Sequence, residues 1–272
     1  MERRVPGSEQ MNWLRAALLA ALISSCAVIS SAEDRAIPLN QLRSGSEFLS
    51  PELRALQADA FANPGMLWVE RGAKLWSTPA GSAGQSCASC HQDAAKTMRG
   101  VAASYPRVDA KSGFLLNVEA RINQCRSERQ AVAPFRYESD DLLSLTAYVN
   151  SFSKDYKINV VIDGNAETYF EAGRTLYYRR SGQMNLSCAQ CHEENWGKNL
   201  YAERISQGHP NAYPAYRMEW QSMGSLERRL RACLSGVRAE MLPYGAQEYR
   251  NLALFLAWRA QGLPMESPGI RR

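Results

Sequence analysis

Two short stretches decide how this chain folds: Cys87-Ala88-Ser89-Cys90-His91 and Cys188-Ala189-Gln190-Cys191-His192. In each stretch two cysteines stand three positions apart, and a histidine follows the second cysteine directly. On one helical turn this spacing brings both thiols to one side, with the histidine ring beside them. Two thiols placed in this way reach both vinyl groups of a porphyrin, and imidazole is a common iron ligand. The pattern is typical of covalent c-type haem attachment.

A Cys-x-x-Cys pair also occurs in redox-active dithiols and in one half of a zinc site. Two such pairs, each followed directly by histidine in a chain with an export signal, favour haem over both alternatives. We therefore predict two covalently bound haems, one for each stretch. The thioether cysteines are predicted to be Cys87, Cys90, Cys188 and Cys191, and the iron-binding histidines His91 and His192.

The first 32 residues have the composition of a secretory signal peptide. Arg15 precedes an apolar run at residues 16–23, and small residues follow up to Ala32. The run is too short to span a bilayer, and the small residues predict cleavage after Ala32. Two alternatives stay open, namely lipoprotein processing at Cys26 and translation from Met11 instead of Met1. A cleaved signal peptide predicts a periplasmic protein.

The length and charge of the chain narrow its class further. Its 272 residues suffice for two small domains, and a hydrophobic content of 45% is ordinary for a globular protein. The formal charge is +5, and residues 1–32 contribute three arginines and two glutamates. A balance this mild does not indicate a nucleic-acid partner, but it suits a small anionic substrate. No later segment is long enough and apolar enough to be predicted as a membrane span.

The chain repeats one set of spacings. Gly72 and Gly173 each stand 15 residues before the first cysteine of a haem motif. A Tyr-Pro pair follows each motif, and each of these prolines precedes a single cysteine by 19 residues. Agreement over such distances indicates a duplicated domain. The repeated elements are Tyr105-Pro106 with Cys125 and Tyr213-Pro214 with Cys233.

Apolar residues recur at helical spacing before both single cysteines, and residues 141–152 and 247–259 also have an amphipathic helical pattern. One strand is predicted at residues 158–162, a β-branched run in the linker. The predicted fold is mainly α, with two tandem cytochrome c-like haem domains related by internal duplication. The predicted boundaries are 1–32 for the signal peptide, 33–153 for the first haem domain and 154–272 for the second, which carries the active site.

An iron that transfers electrons needs a ligand on its other face, usually methionine or histidine. Met98 lies only seven residues past His91, and no methionine or further histidine lies between Met98 and the linker. Cys125 is the best soft donor left for the first haem, and the repeat predicts Cys233 for the second. A disulfide between these cysteines, or two free thiols in a core, is the alternative. Nominal competitors for the second iron are His209, Met218, Met223 and Met241.

A thiolate ligand stabilises ferric iron and lowers its reduction potential, and its sulfur is also a potential nucleophile. Arg229 precedes Cys233 by four residues and therefore shares its helix face. A guanidinium at that place can hold a sulfur oxyanion beside the thiol. Arg121 stands at the same offset before Cys125. Pairing of these arginines with haem propionates is an equally open alternative.

With these residues in place, the chain closely resembles the SoxA family, the dihaem subunits of the SoxAX cytochromes of sulfur-oxidising bacteria. The resemblance covers about residues 44–260. Its most specific parts are residues 61–70 (FANPGMLWVE), both haem motifs, and Arg229 with residues 233–240 (CLSGVRAE). Because the first motif is complete, the chain resembles the family members that keep two haems.

The resemblance implies an L-cysteine S-thiosulfotransferase, which joins thiosulfate oxidatively to a cysteine of the SoxYZ carrier. Electrons leave through haem to an external cytochrome c, and the partner in a heterodimer is SoxX, a small monohaem cytochrome. The resemblance also implies that Cys233 is both iron ligand and catalytic residue, able to carry a persulfide, and that Arg229 binds substrate. Cys125 matches the ligand of the first haem. Basic residues near the site either attract thiosulfate or are solvated surface charges: Lys198, Arg204 and Arg238.

Three other functions fit the sequence less well. A dihaem thiosulfate dehydrogenase, which releases tetrathionate, typically pairs a His/Cys haem with a His/Met haem, so cysteines in both halves count against it. A non-catalytic dihaem electron carrier of high potential needs a methionine that the first half lacks. A dihaem peroxidase needs an open or displaceable iron site, which two matched cysteine ligands disfavour.

Overall fold

The computed structural model describes residues 35–272, and the predicted signal peptide at 1–32 lies outside the described residues. Residues 37–272 form one compact unit. The α-helices are α1 (Pro51–Ala58), α2 (Met66–Ser77), α3 (Cys87–His91), α4 (Ala94–Thr97), α5 (Val118–Arg129), α6 (Asp140–Ser151), α7 (Glu167–Tyr178), α8 (Cys188–His192), α9 (Leu226–Gly236) and α10 (Gln247–Arg259). The strands are β1 (Arg107–Val108), β2 (Leu115–Leu116), β3 (Asn199–Leu200), β4 (Glu203–Arg204), β5 (Ala215–Arg217), β6 (Ser222–Gly224) and β7 (Gly269–Arg271). The fold is mainly α, as predicted.

One long helix pair forms the centre of each copy of the repeat. Helix α2 packs against α6, and α7 packs against α10, which confirms the two amphipathic helices predicted at 141–152 and 247–259. A glycine lets the backbones touch at each crossing. A Cβ added to Gly72 would lie 2.2 Å from the carbonyl oxygen of Ser144, and one on Gly173 would lie 2.1 Å from that of Asn251. The equal spacing of the glycines therefore corresponds to an equal helix crossing.

A single apolar core connects the two copies. It runs from the α2 region of the first copy to the α7–α10 pair of the second, where aromatic rings pack at centroid distances near 5 Å. Burial of these rings removes a large apolar area from water and stabilises the compact state. The largest of these buried side chains include Trp76, Leu115, Tyr177 and Phe255.

The helices that carry the two single cysteines begin at matching positions. The Ala120 amide of α5 donates to Asn117 Oδ1 at 2.9 Å, and the Arg228 amide of α9 donates to Ser225 Oγ at 3.1 Å. Such caps satisfy amide groups that have no partner inside the helix and fix where the helix starts. Cys125 and Cys233 therefore lie at the same depth in their respective helices.

The strands are short and lie outside the predicted position. Strand β5 pairs with β6 antiparallel and with β7 parallel, while β1–β2 and β3–β4 are small antiparallel pairs. The strand predicted at residues 158–162 is wrong. The Ile158 amide donates to the Leu263 carbonyl and the Asn159 amide to the Ala103 carbonyl, both at 2.9 Å, so no ladder forms. Ile158 and Val160 of this run are buried in the core while Val161 is exposed, so the run lies against the core without strand pairing.

Three carboxylates meet beneath the starts of α5 and α9. Glu227 Oε2 accepts a hydrogen bond from the Gly245 amide at 2.7 Å, and Glu138 Oε1 accepts one from the Ser225 amide at 3.3 Å. Their other oxygens are buried with no partner among the described residues. Burial, with a smaller contribution from neighbouring carboxylates, raises the pKa of Glu119 and of Glu227 to about 7. Glu119 and Glu227 occupy matching positions of the repeat, since each stands six residues before its single cysteine.

Within residues 35–272, no helix combines the length and the apolar character needed to cross a membrane.

Candidate functional site

Each haem motif forms a single helical turn, α3 in the first copy and α8 in the second. Both turns follow a tight loop closed by an antiparallel bridge, Ala80 with Gln85 and Ser181 with Leu186. The N-terminus of α3 is fixed by Ser86, whose Oγ accepts the Ser89 amide at 3.1 Å. The geometry therefore places both cysteines of each motif on one turn, with the histidine at its end, as the spacing predicts.

The ring of His192 is held by its backbone surroundings. Its Nδ1 lies 2.7 Å from the Ser206 carbonyl oxygen, so Nδ1–H donates and Nε2 keeps its lone pair. Gly208, with φ +74°, lies against the ring, and a Cβ there would approach the ring carbon Cγ to 2.8 Å. Burial lowers the pKa of His192 to about 4, which favours the neutral form that binds a metal. This donor geometry fits a haem iron ligand.

The single cysteines lie near the motif of their own copy. Burial, together with the nearby Cys233, raises the pKa of Cys188 to about 11. Burial raises the pKa of Cys87 in the first copy, and Cys125 nearby adds to this effect. All six described cysteines are free thiols, so a disulfide between Cys125 and Cys233 does not form. Each copy thus brings together two motif thiols, a histidine and a third sulfur donor.

The nominal competitors for the second iron have other surroundings. His209 is buried, with Nε2 3.0 Å from Gln207 Oε1. Met223 is buried in a small apolar cluster formed by residues of α2 and α6. Met241 is exposed, and Met218 follows strand β5, where its amide donates to the Arg271 carbonyl at 2.9 Å. The surroundings of Cys233 fit the role of iron ligand better than these.

Arg229 is the charged group of the second site. It lies on α9 one turn before Cys233, and that sulfur, when ionised, raises the pKa of the guanidinium more than any other group. Arg229 also lowers the pKa of His192, so all three residues share one site. Its side chain is half-buried, and no carboxylate of residues 35–272 forms an ion pair with it. A half-buried cation beside a thiol can bind an anion that brings sulfur to that thiol.

The matching arginine of the first copy is fully engaged. Arg121 Nη2 contacts Asp109 Oδ1 at 2.7 Å, its Nη1 donates to Gln124 Oε1 at 2.6 Å, and its Nε donates to the Tyr105 hydroxyl at 3.3 Å. The bond from Arg121, with two further hydrogen bonds from Ser112, holds the pKa of Asp109 far below its usual range. The position that matches Asp109 in the second copy is Arg217. The second copy therefore lacks the carboxylate that neutralises this arginine in the first.

The three other basic residues considered from the sequence are on the surface. Lys198, Arg204 and Arg238 are exposed, and Lys198 Nζ donates to Asn195 Oδ1 at 2.7 Å. Sequence reasoning missed Gly208 and the exchange of Asp109 for Arg217. Aligning the two copies residue by residue from their Tyr-Pro pairs would have matched Asp109 with Arg217. The contact of Gly208 with the His192 ring has no signal in the sequence.

Comparison with known proteins gives a consistent result. The family described as "SoxA/TsdA, cytochrome c domain" matches twice, at residues 71–158 and 172–265. The L-cysteine S-thiosulfotransferase subunit SoxA of Pseudaminobacter salicylatoxidans is 42% identical over 86% of this chain and 82% of its own length. The subunit of the same name from Paracoccus pantotrophus is 37% identical over 84% of this chain and 78% of its own length.

The fold agrees with a solved relative. The crystal structure of SoxXA from P. pantotrophus superposes with a TM-score of 0.82 at 37% sequence identity. The match covers 85% of this chain and 87% of that one. The family model matches both copies of the repeat, and SoxA subunits of other bacteria match more than four fifths of the chain. The chain therefore belongs to the SoxA family of cytochromes c.

Proposed function

We propose that this chain is the SoxA subunit of a periplasmic L-cysteine S-thiosulfotransferase, which joins thiosulfate to a cysteine of a SoxYZ carrier. The name of the relatives, which match more than four fifths of the chain, supports this activity. The single observation that carries the proposal is Arg229, a half-buried cation beside Cys233 that has no counter-ion among the described residues. This arrangement suits a small dianion whose sulfur must reach a thiol.

Two c-type haems would complete the molecule. Cys87 and Cys90 would hold the first haem through thioether bonds, and His91 and Cys125 would bind its iron. Cys188 and Cys191 would hold the second haem, and His192 and Cys233 would bind its iron. The chemistry that haem supplies when bound is one-electron oxidation. Helix α9 gives Cys233 a fixed position between the motif of its own copy and the arginine that binds substrate.

The first step uses Arg229 and Cys233 together. The guanidinium binds the sulfonate oxygens of thiosulfate and directs the outer sulfur toward the Cys233 sulfur. A sulfur–sulfur bond then forms between them, with loss of the thiol proton and of two electrons. The product is a thiosulfonate on Cys233, bound through the outer sulfur of the substrate. Retaining Arg229 at the sulfonate keeps this group oriented for the second step.

In the second step the carrier cysteine takes over the substrate. Its thiolate attacks the outer sulfur, the bond to Cys233 breaks, and Cys233 leaves as a thiolate. The net change is thiosulfate plus carrier thiol to carrier S-thiosulfonate, with release of one proton and two electrons. Arg229 also stabilises the departing thiolate, because the two side chains lie on one helix face.

The partners follow from the same proposal. The SoxXA relative supports a heterodimer with SoxX, a small monohaem cytochrome. An external cytochrome c would take the electrons. The signal peptide predicted at residues 1–32 supports export to the periplasm, the compartment in which haem would be attached to both motifs.

The test is reduction of an external cytochrome c by thiosulfate, catalysed by the haem-loaded protein with its small cytochrome partner. We expect reduction to require the SoxYZ carrier and to leave a thiosulfate-sized mass on the carrier cysteine. Reduction without carrier, with tetrathionate as product, would make the protein a thiosulfate dehydrogenase instead. Absence of reduction in both cases would return it to the class of non-catalytic electron carriers.

A further inference from the structure

Two carboxylates lie close enough to Arg229 to act on it electrostatically, Glu203 and Glu219. Neither of them pairs with it. Glu219 Oε2 instead contacts Arg217 Nη2 at 2.9 Å, and Glu203 Oε1 contacts Arg272 Nε at 3.4 Å. Each carboxylate near the substrate-binding arginine is thus engaged by a different arginine. We call Arg217–Glu219 and Arg272–Glu203 the flanking ion pairs.

The first copy shows what happens when a carboxylate does reach this arginine. Asp109 binds Arg121 directly, and the guanidinium also contacts Tyr105 and Gln124. A guanidinium bound in this way has little capacity left for a small anion. In the second copy the matching position carries Arg217, which engages a carboxylate. The exchange of Asp109 for Arg217 therefore removes a carboxylate that would bind the arginine. It also adds a cation that holds a second carboxylate, Glu219.

Arg217 is built to hold Glu219. Its side chain is 5% exposed, whereas that of Glu219 is 64% exposed and would otherwise be mobile. Its guanidinium also lies over the Trp220 ring, 4.9 Å from the centroid, on the sheet formed by β5, β6 and β7. A packed, planar cation restrains a partner better than a solvated one. Arg272 is 57% exposed, so the second pair is the weaker of the two.

We propose that Arg217, with Arg272 in a smaller role, is a positioning residue that keeps acidic side chains away from Arg229 and so leaves Arg229 to bind the substrate anion. The inference rests on the proposed function, because it takes Arg229 as the thiosulfate site. Arg217 acts through Glu219 and needs no contact with substrate. Its removal frees a carboxylate to compete with thiosulfate for the same guanidinium, which raises KM and leaves kcat unchanged.

The test is a double-mutant cycle on the haem-loaded complex, with turnover measured against thiosulfate concentration. We expect Arg217→Gln to raise the KM about tenfold with kcat within about twofold, and Arg217→Lys to recover most of this loss. Glu219→Gln alone should change KM by less than about twofold, because that carboxylate is already engaged. The double variant R217Q/E219Q should return KM to within about threefold of the parent.

Additive effects of the two substitutions on KM would overturn the proposal. If Glu219→Gln lowers KM by the same factor in both backgrounds, Arg217 contributes only a general positive field. An unchanged KM in Arg217→Gln also overturns it. If that variant fails to fold, the exposed pair gives the same cycle through Arg272→Gln and Glu203→Gln, with an expected rise of about threefold. Additivity in this second cycle overturns the proposal in the same way.

Two controls separate this inference from the proposed function. The ion pair Arg71–Asp141 is formed at 2.6 Å between two partly exposed side chains and belongs to the first copy. Its cycle, R71Q and D141N, should leave the KM unchanged. Arg229→Gln tests the function itself. If Arg229→Gln lowers kcat/KM about a hundredfold while the Arg217 cycle is additive, the substrate site stands and only the positioning role is wrong. If Arg229→Gln has no effect, the function proposal itself is wrong.

Discussion

The two copies of the repeat have the same architecture but differ in the charges around the arginine that precedes each single cysteine. Both hold a motif turn, a helix crossing at a glycine, and a single cysteine with an arginine one turn before it. In the first copy Asp109 neutralises Arg121, whereas in the second the matching position is Arg217 and Arg229 has no ion pair with a described residue. Duplication thus preserved the frame that is predicted to hold a haem in each copy. Because a negative residue in the first copy is replaced by a positive one in the second, Arg121 is held in an ion pair whereas Arg229 can bind an anion.

The largest contrast is expected between the two single cysteines. Cys233→Ser should lower thiosulfate turnover by at least about a thousandfold, because hydroxyl oxygen is a far weaker nucleophile than sulfur at neutral pH. Cys125→Ser should keep most of the activity, since nothing in the proposed steps uses that sulfur. The measurement is turnover with carrier present, with the visible spectrum as a check that both haems are attached. Equal losses in both variants would mean that the copies share the catalysis.

The second largest difference in activity is expected between substitutions of Arg229 and of Arg121. Arg229→Gln should lower kcat/KM about a hundredfold, since a charge-assisted, bidentate contact to the sulfonate is lost. Arg121→Gln should leave kcat/KM within about twofold and lower the melting temperature by about 3 °C, because Asp109 loses its partner. Steady-state kinetics and thermal unfolding of both variants distinguish these outcomes. A kinetic defect in Arg121→Gln would show that the first copy also binds substrate.

The stability of the folded protein is expected to depend on pH through the buried carboxylates Glu119, Glu138 and Glu227. The pKa of Glu227 is raised to about 7 from an ordinary 4.5, so the folded state binds its proton more tightly than the unfolded chain. The stability it contributes is complete below about pH 4.5 and is lost as pH rises through about 7. We expect a loss of about 3 kcal/mol in the free energy of unfolding over that range. Glu227→Gln should remove this loss, and the remaining pH dependence should come from Glu119, whose pKa is also raised to about 7.

The measurement is denaturant unfolding of the haem-loaded protein at several pH values. Glu240→Gln is the control, because Glu240 is an exposed glutamate of the same copy. The groups that face the cluster do not titrate between pH 4.5 and 7, because Arg228, Arg231 and Arg250 stay cationic and Tyr137, with a pKa raised to about 12, stays neutral. If E227Q retained the full pH dependence of the parent, the buried proton would have to be assigned elsewhere.

The smallest effect is expected at two matched glycines. Gly208 and Gly100 each stand five residues before the tyrosine of a Tyr-Pro pair, with φ +74° and +72°. A Cβ would meet the His192 ring in the second copy but the Tyr156 ring in the first. Both alanine variants should lose about 1 kcal/mol of stability from backbone strain. Only Gly208→Ala should also shift the spectrum of a haem, which resonance Raman or magnetic circular dichroism would detect.

Sequence patterns predicted the parts of this molecule that depend on local spacing. The motif turns, the helices around Cys125 and Cys233 and the duplication follow from periodicity, and the structure confirms them. The strand at residues 158–162 was wrong, because β-branched residues in a buried loop satisfy the same pattern as those in a strand. The partners of Arg121 and Arg217 are tertiary contacts, so the difference between the copies could not be derived from helix periodicity. The roles of Cys125, Cys233 and Arg229, and the domain boundaries, stay predictions.

The hairpin β3–β4 marks where the copies differ in length. The motif histidine is followed by the Tyr-Pro tyrosine after 14 residues in the first copy and 21 in the second, yet the flanking elements keep their spacing. In evolutionary terms, this loop is an insertion point at which the second copy could acquire new surface without disturbing its frame. It is also a grafting site for protein engineering. The longer loop could be moved into the first copy together with the substitution Asp109→Arg. This small change would test whether a second substrate-binding site can be built in one chain.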